Sequence, residues 1–529
     1  MSKPHILAEA PHGNLVENGV MLVGNQSDVI AFFRKLLTSQ GTEVELISTH
    51  ASLIFLAGDR AFKLKRAVQY PYLDFSTPEK RFASCQAEVE LNRRTAPHLY
   101  LGVRTITCGH DGRLVLGGTG PLVDAVVEMR RFEQDALFDT MARNGTLSPQ
   151  LMTELARQTA KLHQGAAVSF THGGSAGIAA VLDINDRGLR DTSLVSPEAA
   201  GEFADLFRQA LGRHAECLEQ RRRAGKVRRC HGDLILRNIC LTDSMPTLFD
   251  CLEFNEALAT IDVLYDLAFL LMDLWHRDQR AFANLVYNRY LDECDEAAGL
   301  ALVPFFMAIR AAVRAHVTAA QADDAPPGSQ EPLRTEAQAY FDLAIALLKS
   351  ADPMLVALGG FSGTGKSTMA SLVAPCIGAA PGARILNTDR IRKRMYGLPV
   401  EARLPMAAYR RDVSRKVYAA LRRDAAEALS AGSAVIADAV FDRAAERQAI
   451  EAIAKRSGVP FGGFWLDAPE ATLLRRVEER RNDPSDATAQ VLADQIRRGS
   501  GEMTWQLIDT AAEPSRIRPA ILTFLQHTS

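Results

Sequence analysis

One stretch decides the fold of the C-terminal part of this chain: Met354-Leu-Val-Ala-Leu-Gly-Gly-Phe-Ser-Gly-Thr-Gly-Lys-Ser-Thr368. An apolar run leads into the pattern Gly360-x4-Gly365-Lys366-Ser367, and small residues typical of a helix follow it. That order of strand, loop and helix is the context that a phosphate-binding loop requires. Glycines let backbone N–H groups turn toward phosphate oxygens, and the N-terminal end of the next helix adds positive potential. The stretch therefore predicts a nucleotide site without specifying a reaction.

Individual roles within this loop follow from the same pattern. Lys366 is expected to reach the β- and γ-phosphates of ATP, and the Ser367 hydroxyl is expected to ligate Mg²⁺. The residues predicted to bind ATP here are Gly360, Phe361, Ser362, Gly363, Thr364, Gly365, Lys366, Ser367 and Thr368. A Gly-rich turn without a ligand is the alternative, and the flanking strand and helix patterns argue against it.

Length and composition predict several soluble domains. A chain of 529 residues is too long for one hydrophobic core, so two to four domains are expected. Hydrophobic residues make up 47% and charged residues 23%, as in ordinary globular proteins. The net charge of -2 argues against bulk electrostatic capture of nucleic acid and leaves only local basic patches as candidates for it.

Other features of the whole chain favour a cytoplasmic location. The eight cysteines are scattered without a Cys-x-x-Cys pair, which favours reduced thiols over disulfides or a zinc site. The first residues lack the apolar core of a signal peptide, and residues 267–272, the longest strongly apolar stretch, are too short to span a bilayer. We therefore expect no membrane partner, and the oligomeric state stays open.

The N-terminal part contains a strand, a turn and a second strand that carries two lysines. Residues 53–57 and 61–65 have the strand pattern, with Gly58-Asp59 as the turn. Lys63 and Lys65 share one face of the second strand because side chains alternate along a strand. A helix predicted for residues 77–94 carries Glu88. Exposed lysines and a charged helix face are the ordinary interpretation of such residues, unless a site downstream requires them.

A second constellation of polar residues lies downstream. Asp233 in Cys230-His-Gly-Asp-Leu-Ile-Leu-Arg-Asn-Ile-Cys240 is followed five residues later by Asn238, and Asp250 ends a short apolar strand. Phosphoryl transfer uses one carboxylate to orient the acceptor hydroxyl, and an amide and another carboxylate to hold Mg²⁺. The ordered set, with a strand lysine and a helix glutamate upstream, is much more specific than His-x-Asp alone.

These motifs resemble the aminoglycoside phosphotransferase-like branch of the protein-kinase fold. The whole chain is similar to bacterial two-domain proteins that fuse such a domain to a P-loop kinase. The resemblance implies that Asp233 is the catalytic base or hydroxyl-positioning group and that Asn238 and Asp250 are metal ligands. It also implies that Lys63 grips the ATP phosphates with Glu88 as its partner. The segment Val127-Glu128-Met129-Arg130 resembles the hinge that meets adenine, which implies that Glu128 and Met129 bind the nucleotide.

The predicted architecture has two domains. An α+β protein-kinase-like domain occupies residues 1–351, with a small lobe over about 1–128 and a helical large lobe over about 129–351. An α/β P-loop kinase domain with a doubly wound parallel sheet occupies residues 352–529. Residues 322–332 have the Pro- and Gly-rich composition of a loop that cannot continue a helix.

Several charged groups have two interpretations. Asp262 and Asp266 either supply an N-cap and a solvated charge or brace the catalytic loop. The acidic residues Asp292, Glu293, Asp295 and Glu296 are a solvated helix face or an attraction for a cationic substrate. The basic residues 221–229 are an exposed loop or a contact for phosphate or RNA. We favour a solvated helix face for the acidic run and an exposed loop for the basic run.

The C-terminal part alternates strands and helices, and acidic residues follow the strands. Asp389, Asp438 and Asp467 fall at the ends of successive predicted strands, where ligands of parallel sheets bind. Asn387-Thr-Asp389-Arg-Ile-Arg-Lys393 resembles P-loop kinases of the zeta-toxin and gluconate-kinase groups. This resemblance implies that Asp389 is the base, that Asp438 is a carboxylate of the Mg²⁺ site, and that Asp467 is structural.

The helix predicted for residues 471–481 resembles the arginine-bearing lid of those kinases. Arg476 and Arg480 share one helix face and are predicted to close over the transferring phosphoryl group. A solvated helix surface is the alternative.

Three functions are compatible with these motifs. The first is an enzyme with two sites, each transferring the γ-phosphate of ATP through Mg²⁺ to a hydroxyl of a small molecule, with an antibiotic or toxic metabolite as one candidate. The second is a nucleic-acid-end or nucleotide-sugar kinase whose first domain serves binding or regulation. The third is a non-catalytic ATP switch, against which the retained Asp233 and Lys366 argue.

Overall fold

The computed structural model describes residues 15–17, 20–22, 24–39, 41–49, 51–70, 73–349, 351–479 and 485–528. The strands of the N-terminal part are β1 (Leu15–Glu17), β2 (Val20–Leu22), β3 (Val44–Ser48), β4 (Ser52–Ala57), β5 (Arg60–Lys65), β6 (Gln69–Tyr70), β7 (Leu73–Asp74), β8 (Tyr100–Cys108), β9 (Leu114–Leu116), β10 (Leu122–Arg130), β11 (Val227–Arg229), β12 (Ile239–Thr242), β13 (Met245–Leu248) and β14 (Thr260–Asp262). Its α-helices are α1 (Ser27–Ser39), α2 (Pro78–Asn92), α3 (Phe138–Arg143), α4 (Pro149–Gly165), α5 (Gly174–Arg190), α6 (Pro197–Arg223), α7 (Glu256–Ala259), α8 (Val263–His276), α9 (Arg280–Glu293), α10 (Val303–Asp324) and α11 (Gln330–Leu348).

The C-terminal part follows with alternating strands and helices. Its strands are β15 (Leu355–Gly359), β16 (Arg384–Asn387), β17 (Val435–Asp438), β18 (Phe461–Asp467) and β19 (Gln506–Asp509). Its α-helices are α12 (Lys366–Val373), α13 (Thr388–Met395), α14 (Arg411–Ser430), α15 (Ala444–Ser457), α16 (Glu470–Glu478), α17 (Ala489–Arg498) and α18 (Pro514–Thr528).

The small lobe is built on an antiparallel sheet in the order β3-β4-β5-β10-β8-β9. Phe33 of α1 packs edge-on against Phe55 and Phe62 on one face of this sheet. Helix α2 covers the other face, where Val89 packs in the same cluster as Val127. Because side chains alternate along β5, Lys63 and Lys65 lie on the α2 face and Phe62 on the α1 face. The strand pattern therefore aims both lysines at α2.

The large lobe is helical and surrounds α8, whose residues from Val263 to Leu274 are all buried. A helix that is apolar on every side must be covered on every side. Residues 297–324 contain one helix long and apolar enough to cross a membrane, and 67% of its most apolar stretch is buried inside the protein. Burial of that kind is typical of a core helix, so this segment is weak evidence for membrane insertion.

The segment predicted as an eleven-residue loop is shorter than expected. Helix α10 continues to Asp324, and α11 already begins at Gln330. Pro332 is therefore part of α11 and not of the loop, which corrects the prediction for residues 322–332. A proline is tolerated in the first turn of a helix because the N–H groups there have no partner within the helix.

The C-terminal domain is an α/β fold with a parallel sheet in the order β16-β17-β15-β18-β19. The central strand β15 is completely buried, as expected for a strand with helices on both faces. Residues of α12 and α18 pack on one face, and residues of α14 and α15 pack on the other. The predicted doubly wound sheet is thus confirmed, with β16 at its edge.

Two candidate phosphoryl-transfer sites

The first site forms where the sheet of the small lobe meets the large lobe. Lys63 Nζ donates to Glu88 Oε1 at 3.0 Å and to Asp250 Oδ1 at 2.6 Å. Lys65 Nζ contacts the other carboxylate oxygen of Glu88 at 2.6 Å and Glu253 at 2.5 Å. Glu88 is fully buried, so two lysines balance one buried carboxylate. Lys63 is the more exposed of the two, at 14% against 1%, and it alone contacts Asp250.

Asp233 and Asn238 lie together on the loop between β11 and β12. Asn238 Nδ2 donates to Asp233 Oδ2 at 2.8 Å and to the Asp233 carbonyl at 2.9 Å. Arg237 contacts the same carboxylate oxygen at 3.4 Å. Because both hydrogens of the Asn238 amide point at Asp233, its Oδ1 is the atom left to ligate a cation. The structure therefore brings the predicted base next to one predicted metal ligand.

Two buried aspartates of α8 brace this loop. Asp266 accepts from the N–H groups of His231 at 3.1 Å and Gly232 at 2.8 Å, and Asp273 accepts from Leu236 N at 2.9 Å. His163 Nε2 lies 3.0 Å from Asp266 Oδ2 and fixes it from the other side. Of the two roles considered for Asp266, the structure shows the bracing role.

Asp262 combines an N-cap with a buried ion pair. Its Oδ1 accepts from Leu264 N at 2.8 Å and so caps α8. Its two carboxylate oxygens also accept from Arg221 Nε and Nη2, each at 2.7 Å. The N-cap interpretation was correct for Asp262, whereas the charge is paired and buried and is not solvated.

The charges of this site set the pKa of each carboxyl group. Burial raises the pKa of Asp233, but the charges of Arg237, His231 and Arg314 outweigh it and hold that pKa below its usual value. Burial also opposes ionisation of Asp250, and Lys63 outweighs it and lowers that pKa. Both carboxylates are therefore ionised at neutral pH, as a hydroxyl-positioning group and a metal ligand require.

The oxygen atoms of this site fit Mg²⁺. Carboxylate and amide oxygens are the ligands that this hard cation prefers, and Asp250 and Asn238 offer one of each. The side chain of Asp250 is 38% exposed, so it is open to a ligand. Its backbone has a positive φ of 61°, and its N–H donates to the hydroxyl of Tyr100 at 3.1 Å. Aspartate is among the residues that adopt such a φ most readily, and Asp243 and Asp278 share it in turns of this chain.

The predicted adenine hinge lies on β10, next to β5. Glu128 pairs with Phe62 in the register of the two strands, and Met129 pairs with Ala61. Met129 is 8% exposed and packs in the core under α2. The Glu128 carboxylate lies 3.3 Å from Arg104 and 4.0 Å from Arg60. The assignment of both residues to nucleotide binding stays a prediction.

The second site is the loop between β15 and α12. At Gly360, where φ is +143°, an added Cβ would lie 2.4 Å from the Leu466 carbonyl oxygen. At Gly363, where φ is +91°, it would lie 2.7 Å from the Leu473 carbonyl oxygen. Only glycine fits at these two positions, and the resulting bare backbone is what a phosphate cradle requires. Lys366 Nζ donates to the carbonyl oxygens of Gly360 at 2.8 Å and Phe361 at 2.9 Å, so it arches over the loop.

Ser367 and Asp438 meet beside the loop. Ser367 Oγ donates to Asp438 Oδ2 at 2.7 Å, and Asn387 Nδ2 donates to the same oxygen at 2.7 Å. Asp438 ends β17 and is 2% exposed. A serine hydroxyl with a buried carboxylate behind it suits Mg²⁺ bound together with a nucleotide phosphate. The predicted metal pair of this domain is thus brought into contact.

Asp389 lies in the first turn of α13, the helix that follows β16. Asn387 caps that helix by accepting from the N–H groups of Asp389 at 2.9 Å and Arg390 at 3.0 Å. Burial raises the pKa of Asp389 above its usual value, and the charge of Asp438 adds to that effect, while Arg392, Ser485 and Lys366 oppose it. A carboxylate with a raised pKa is a stronger base toward a hydroxyl proton.

One of the two predicted lid arginines contacts the phosphate loop. Arg476 donates to the Gly363 carbonyl at 3.4 Å and to the Thr510 carbonyl at 2.8 Å, so it links α16 to the loop and to the end of β19. Arg480 lies outside the described residues. The lid role of both arginines stays a prediction.

The acidic and basic runs are solvated only in part. Arg223, Glu293 and Asp295 are exposed, as expected. Asp292 contacts three arginines and Glu296 contacts Arg221 and Lys226, so neither belongs to a solvated helix face. Arg221 itself is 2% exposed. The exposed-loop interpretation is therefore wrong for Arg221, because buried ions require partners.

Other contributors to the sites were missed at the sequence level. Glu253 falls three residues after Asp250, and Asn387 falls two residues before Asp389, so proximity could have suggested them. Gln495 Oε1 accepts from the Ser362 N–H of the phosphate loop at 2.8 Å. A contact across that distance in the sequence leaves no local signal.

Comparisons with known proteins agree with this division of the chain. Residues 72–302 match the model of the Phosphotransferase enzyme family, and residues 355–500 match a model described as AAA domain. Proteins of Mycobacterium tuberculosis H37Rv and Mycobacterium bovis described as uncharacterized are 29% identical over 482 residues, which covers 89% of this chain and 93% of each relative.

The solved structures to which parts of this chain are similar include kinases. A gluconokinase from Sinorhizobium meliloti 1021 is 21% identical, with 34% of this chain and 94% of that chain covered and a TM-score of 0.25. A choline/ethanolamine kinase family protein from Mesorhizobium loti is 15% identical, with 58% and 88% covered and a TM-score of 0.36. A choline kinase from Cryptosporidium parvum is 11% identical, with 61% and 95% covered and a TM-score of 0.40.

The motifs, the fold and the two matched family models coincide in position along the chain. The kinase-like constellation of Asp233, Asn238 and Asp250 falls inside the first matched range, and the loop with Lys366 falls inside the second. The chain therefore joins a kinase-like domain, which matches the model of the Phosphotransferase enzyme family over residues 72–302, to a C-terminal P-loop domain.

Proposed function

We propose that each domain transfers the γ-phosphoryl group of ATP to a hydroxyl group of a small molecule. Each domain contains a lysine side chain, a pair of side chains whose oxygen atoms can ligate Mg²⁺, and a further carboxylate that can bind the acceptor hydroxyl. In the first domain these are Lys63, the pair Asn238 and Asp250, and Asp233. In the second they are Lys366, the pair Ser367 and Asp438, and Asp389. Phosphoryl transfer needs both kinds of group, because the metal ligands serve charge neutralisation on the phosphate oxygens and the carboxylate orients the acceptor hydroxyl.

The observation that carries the proposal is the contact of Lys63 with both Glu88, at 3.0 Å, and Asp250, at 2.6 Å. The Lys63 ammonium group on β5 thereby contacts both α2, through Glu88, and Asp250, the carboxylate predicted to ligate the metal. A lysine held in this way by a helix glutamate is positioned to bind phosphate oxygens. A purely structural ion pair would not need the partly exposed Asp250 as a third member.

The residues of each site have distinct tasks. Mg²⁺, when bound with ATP, supplies charge neutralisation on the phosphate oxygens. Lys63 and Lys366 bind phosphate oxygens, and the carboxylates of Asp233 and Asp389 accept a hydrogen bond from the acceptor hydroxyl. As the hydroxyl oxygen bonds to phosphorus and the bond to the ADP oxygen breaks, the hydroxyl proton moves toward the carboxylate. Catalysis rests on positioning and electrostatics, without a covalent enzyme intermediate.

The paired cations of the basic run favour a small acceptor over a nucleic acid. Arg221, Arg222, Lys226 and Arg228 all donate to protein oxygens. Electrostatic capture of a nucleic acid depends on cations that can contact phosphates. These four cations are committed to contacts within the protein, so they do not support the nucleic-acid alternative.

The test is to assay Asp233→Ala, Lys366→Ala and the double variant for MgATP turnover, and to search a panel of metabolites and antibiotics for products that gain a phosphate by mass spectrometry. We expect each single variant to lose one of two activities and the double variant to lose both. If both single variants turn over ATP and phosphorylate the panel like the parent, the two-site proposal is wrong.

A further inference from the structure

Helix α9 of the kinase-like domain packs against the edge strand β16 of the parallel sheet in the P-loop domain. Strand β16 is the edge strand, and its sheet neighbour is β17. The outer side of such a strand presents N–H and C=O groups that need partners. Here those partners come from side chains of the other domain.

Asn288 on α9 pairs with this edge as a neighbouring strand would. Its Oδ1 accepts from Ile385 N at 2.7 Å, and its Nδ2 donates to the Ala383 carbonyl at 3.1 Å. Asn284, one turn earlier on the helix, donates to the carbonyls of Ala383 at 3.1 Å and Pro381 at 3.0 Å. Asn288 is 1% exposed, so water cannot replace it without opening the interface. The two asparagines therefore bind the backbone at the start of this sheet edge.

Asp292, one turn further along α9, holds the same region by charge. Its carboxylate lies 2.9 Å from Arg384 at the start of β16 and 3.2 Å from Arg390 in the first turn of α13. Arg289 of α9 lies 2.6 Å from it. Asp292 thus contacts the chain on both sides of the segment that ends β16 and begins α13.

That segment carries the acceptor side of the second site. Asn387, two residues after Ile385, donates to Asp438 at 2.7 Å and caps the helix turn that contains Asp389. The position of Asp389 relative to Ser367 and Asp438 thus depends on where β16 ends. Helix α9 is itself anchored in its own domain, because the hydroxyl of Tyr290 lies 2.8 Å from His163 Nδ1.

We infer that Asn288 and Asp292 are positioning residues for the P-loop site, supplied by the kinase-like domain. They act through β16 and Asn387, and they set the distance between Asp389 and the phosphate loop. The inference rests on the proposed phosphoryl transfer by the P-loop domain. It means that this domain is complete as a catalyst only when the first domain is docked against it.

The test uses the full-length chain in an Asp233→Ala background, so that MgATP hydrolysis reports on the second site. Asn288→Leu keeps the number and branching of the side-chain heavy atoms and removes the hydrogen bonds to Ile385 and Ala383. Arg157→Ala is the matched control, because Arg157 forms an interdomain ion pair with Glu401 and has no contact with β16. For Asn288→Leu we expect kcat for hydrolysis to fall at least about tenfold. We expect the Kd for MgATP at the P-loop site, measured with Lys63→Met added to remove binding at the first site, to change less than about twofold. The control is expected to change neither value.

The split between kcat and Kd separates positioning from general damage. If Asn288→Leu behaves like Arg157→Ala, or if kcat and affinity fall in parallel, the inference is wrong. Hydrogen exchange provides a readout that does not depend on turnover. We expect the amides of Asp389 and Arg390 to lose at least about tenfold of their protection in Asn288→Leu but not in Arg157→Ala.

Unchanged protection at those two amides would overturn the inference even if turnover fell. Conversely, absence of Lys366-dependent hydrolysis in the Asp233→Ala parent would refute the proposed function of the P-loop domain. The exchange experiment would then still decide whether Asn288 positions the strand end. The two failures are therefore distinguishable.

Discussion

The Lys63 ammonium lies 2.6 Å from the Asp250 carboxylate and connects the sheet of the small lobe to the end of the β12–β13 hairpin in the large lobe. The two residues are 187 positions apart, and each comes from a different lobe. Burial opposes the charge of Lys63, but Asp250 and Glu88 outweigh it and raise its pKa well above the usual value. The lysine therefore stays charged wherever the protein is folded at moderate pH, as phosphate binding requires.

Removal of the Lys63 charge should disable the first site. In a Lys366→Ala background, we expect Lys63→Met to lower MgATP turnover about 100-fold or more, the range seen when one preorganised electrostatic donor is removed. Lys80→Met is the control, because Lys80 pairs with Asp74 on the surface and its side chain is 48% exposed. Equal turnover in the two variants would contradict the role of Lys63.

The two sites should respond differently to acid. The pKa of Asp233 is lowered and that of Asp389 is raised, so Asp389 takes up a proton at a higher pH as the solution is acidified. Because both groups act as carboxylates, the second site should lose activity first. We expect the acidic limb of the rate profile of Asp233→Ala to lie at higher pH than that of Lys366→Ala. Coincident or reversed limbs would be inconsistent with these base assignments.

Gly363 should tolerate no side chain. Gly363→Ala would place a Cβ 2.7 Å from the Leu473 carbonyl oxygen and would displace the phosphate loop. Gly432→Ala is matched, because Gly432 also has a positive φ, at +75°, but no atom lies within 4 Å of its added Cβ. We expect both variants to lose about 1–2 kcal/mol of stability through the positive φ.

Nucleotide affinity distinguishes these two glycine variants. Fluorescence titration in a Lys63→Met background, which removes the phosphate-binding lysine of the first site, should show a loss of MgATP binding at the P-loop site for Gly363→Ala, with Gly432→Ala close to the parent. Similar affinities in both variants would mean that the loop accommodates the extra methyl group and that the steric argument fails.

The brace at Asp266 should contribute to stability. Asp266 is fully buried and accepts two backbone N–H groups together with His163, so Asp266→Ala would leave these donors without an acceptor. We expect a loss of about 3–5 kcal/mol in the free energy of unfolding, measured by denaturant titration. Asp278→Asn is the control, because its side chain is 89% exposed. A loss below about 1 kcal/mol for Asp266→Ala would contradict the bracing role.

The pH dependence of that contribution has a definite sign. Burial raises the pKa of Asp266, but its bond to His163 and the charges of His163, His231 and Arg310 outweigh it and lower that pKa. A lowered pKa in the folded state means that the stabilisation is present above the unfolded pKa of an aspartate and is lost as the pH falls toward the folded value. The difference in stability between parent and Asp266→Asn should therefore shrink on acidification.

Local pattern sufficed for the parts of the chain whose chemistry is local. The loop from Gly360 to Thr368 combines its glycines, lysine and serine in nine consecutive positions, so its role is readable in the sequence. The same holds for Asp233 and Asn238, which are five residues apart. The roles predicted for Lys63 and Glu88 came from the resemblance to the aminoglycoside phosphotransferase-like family. The alternation of strands and helices likewise predicted the parallel sheet, which the structure shows.

Charged residues away from these motifs could not be assigned in this way. Asp292 and Arg221 look like members of solvated runs, and the tertiary structure buries both in ion pairs. Periodicity describes which face of a helix is polar, but it does not say whether another element covers that face. The sequence by itself determined a kinase-like domain and a P-loop domain with their motifs, because those depend on neighbouring residues. Only the tertiary structure decided that Asn288 of one domain binds the edge of the sheet of the other, because that contact exists only once both domains have folded and docked.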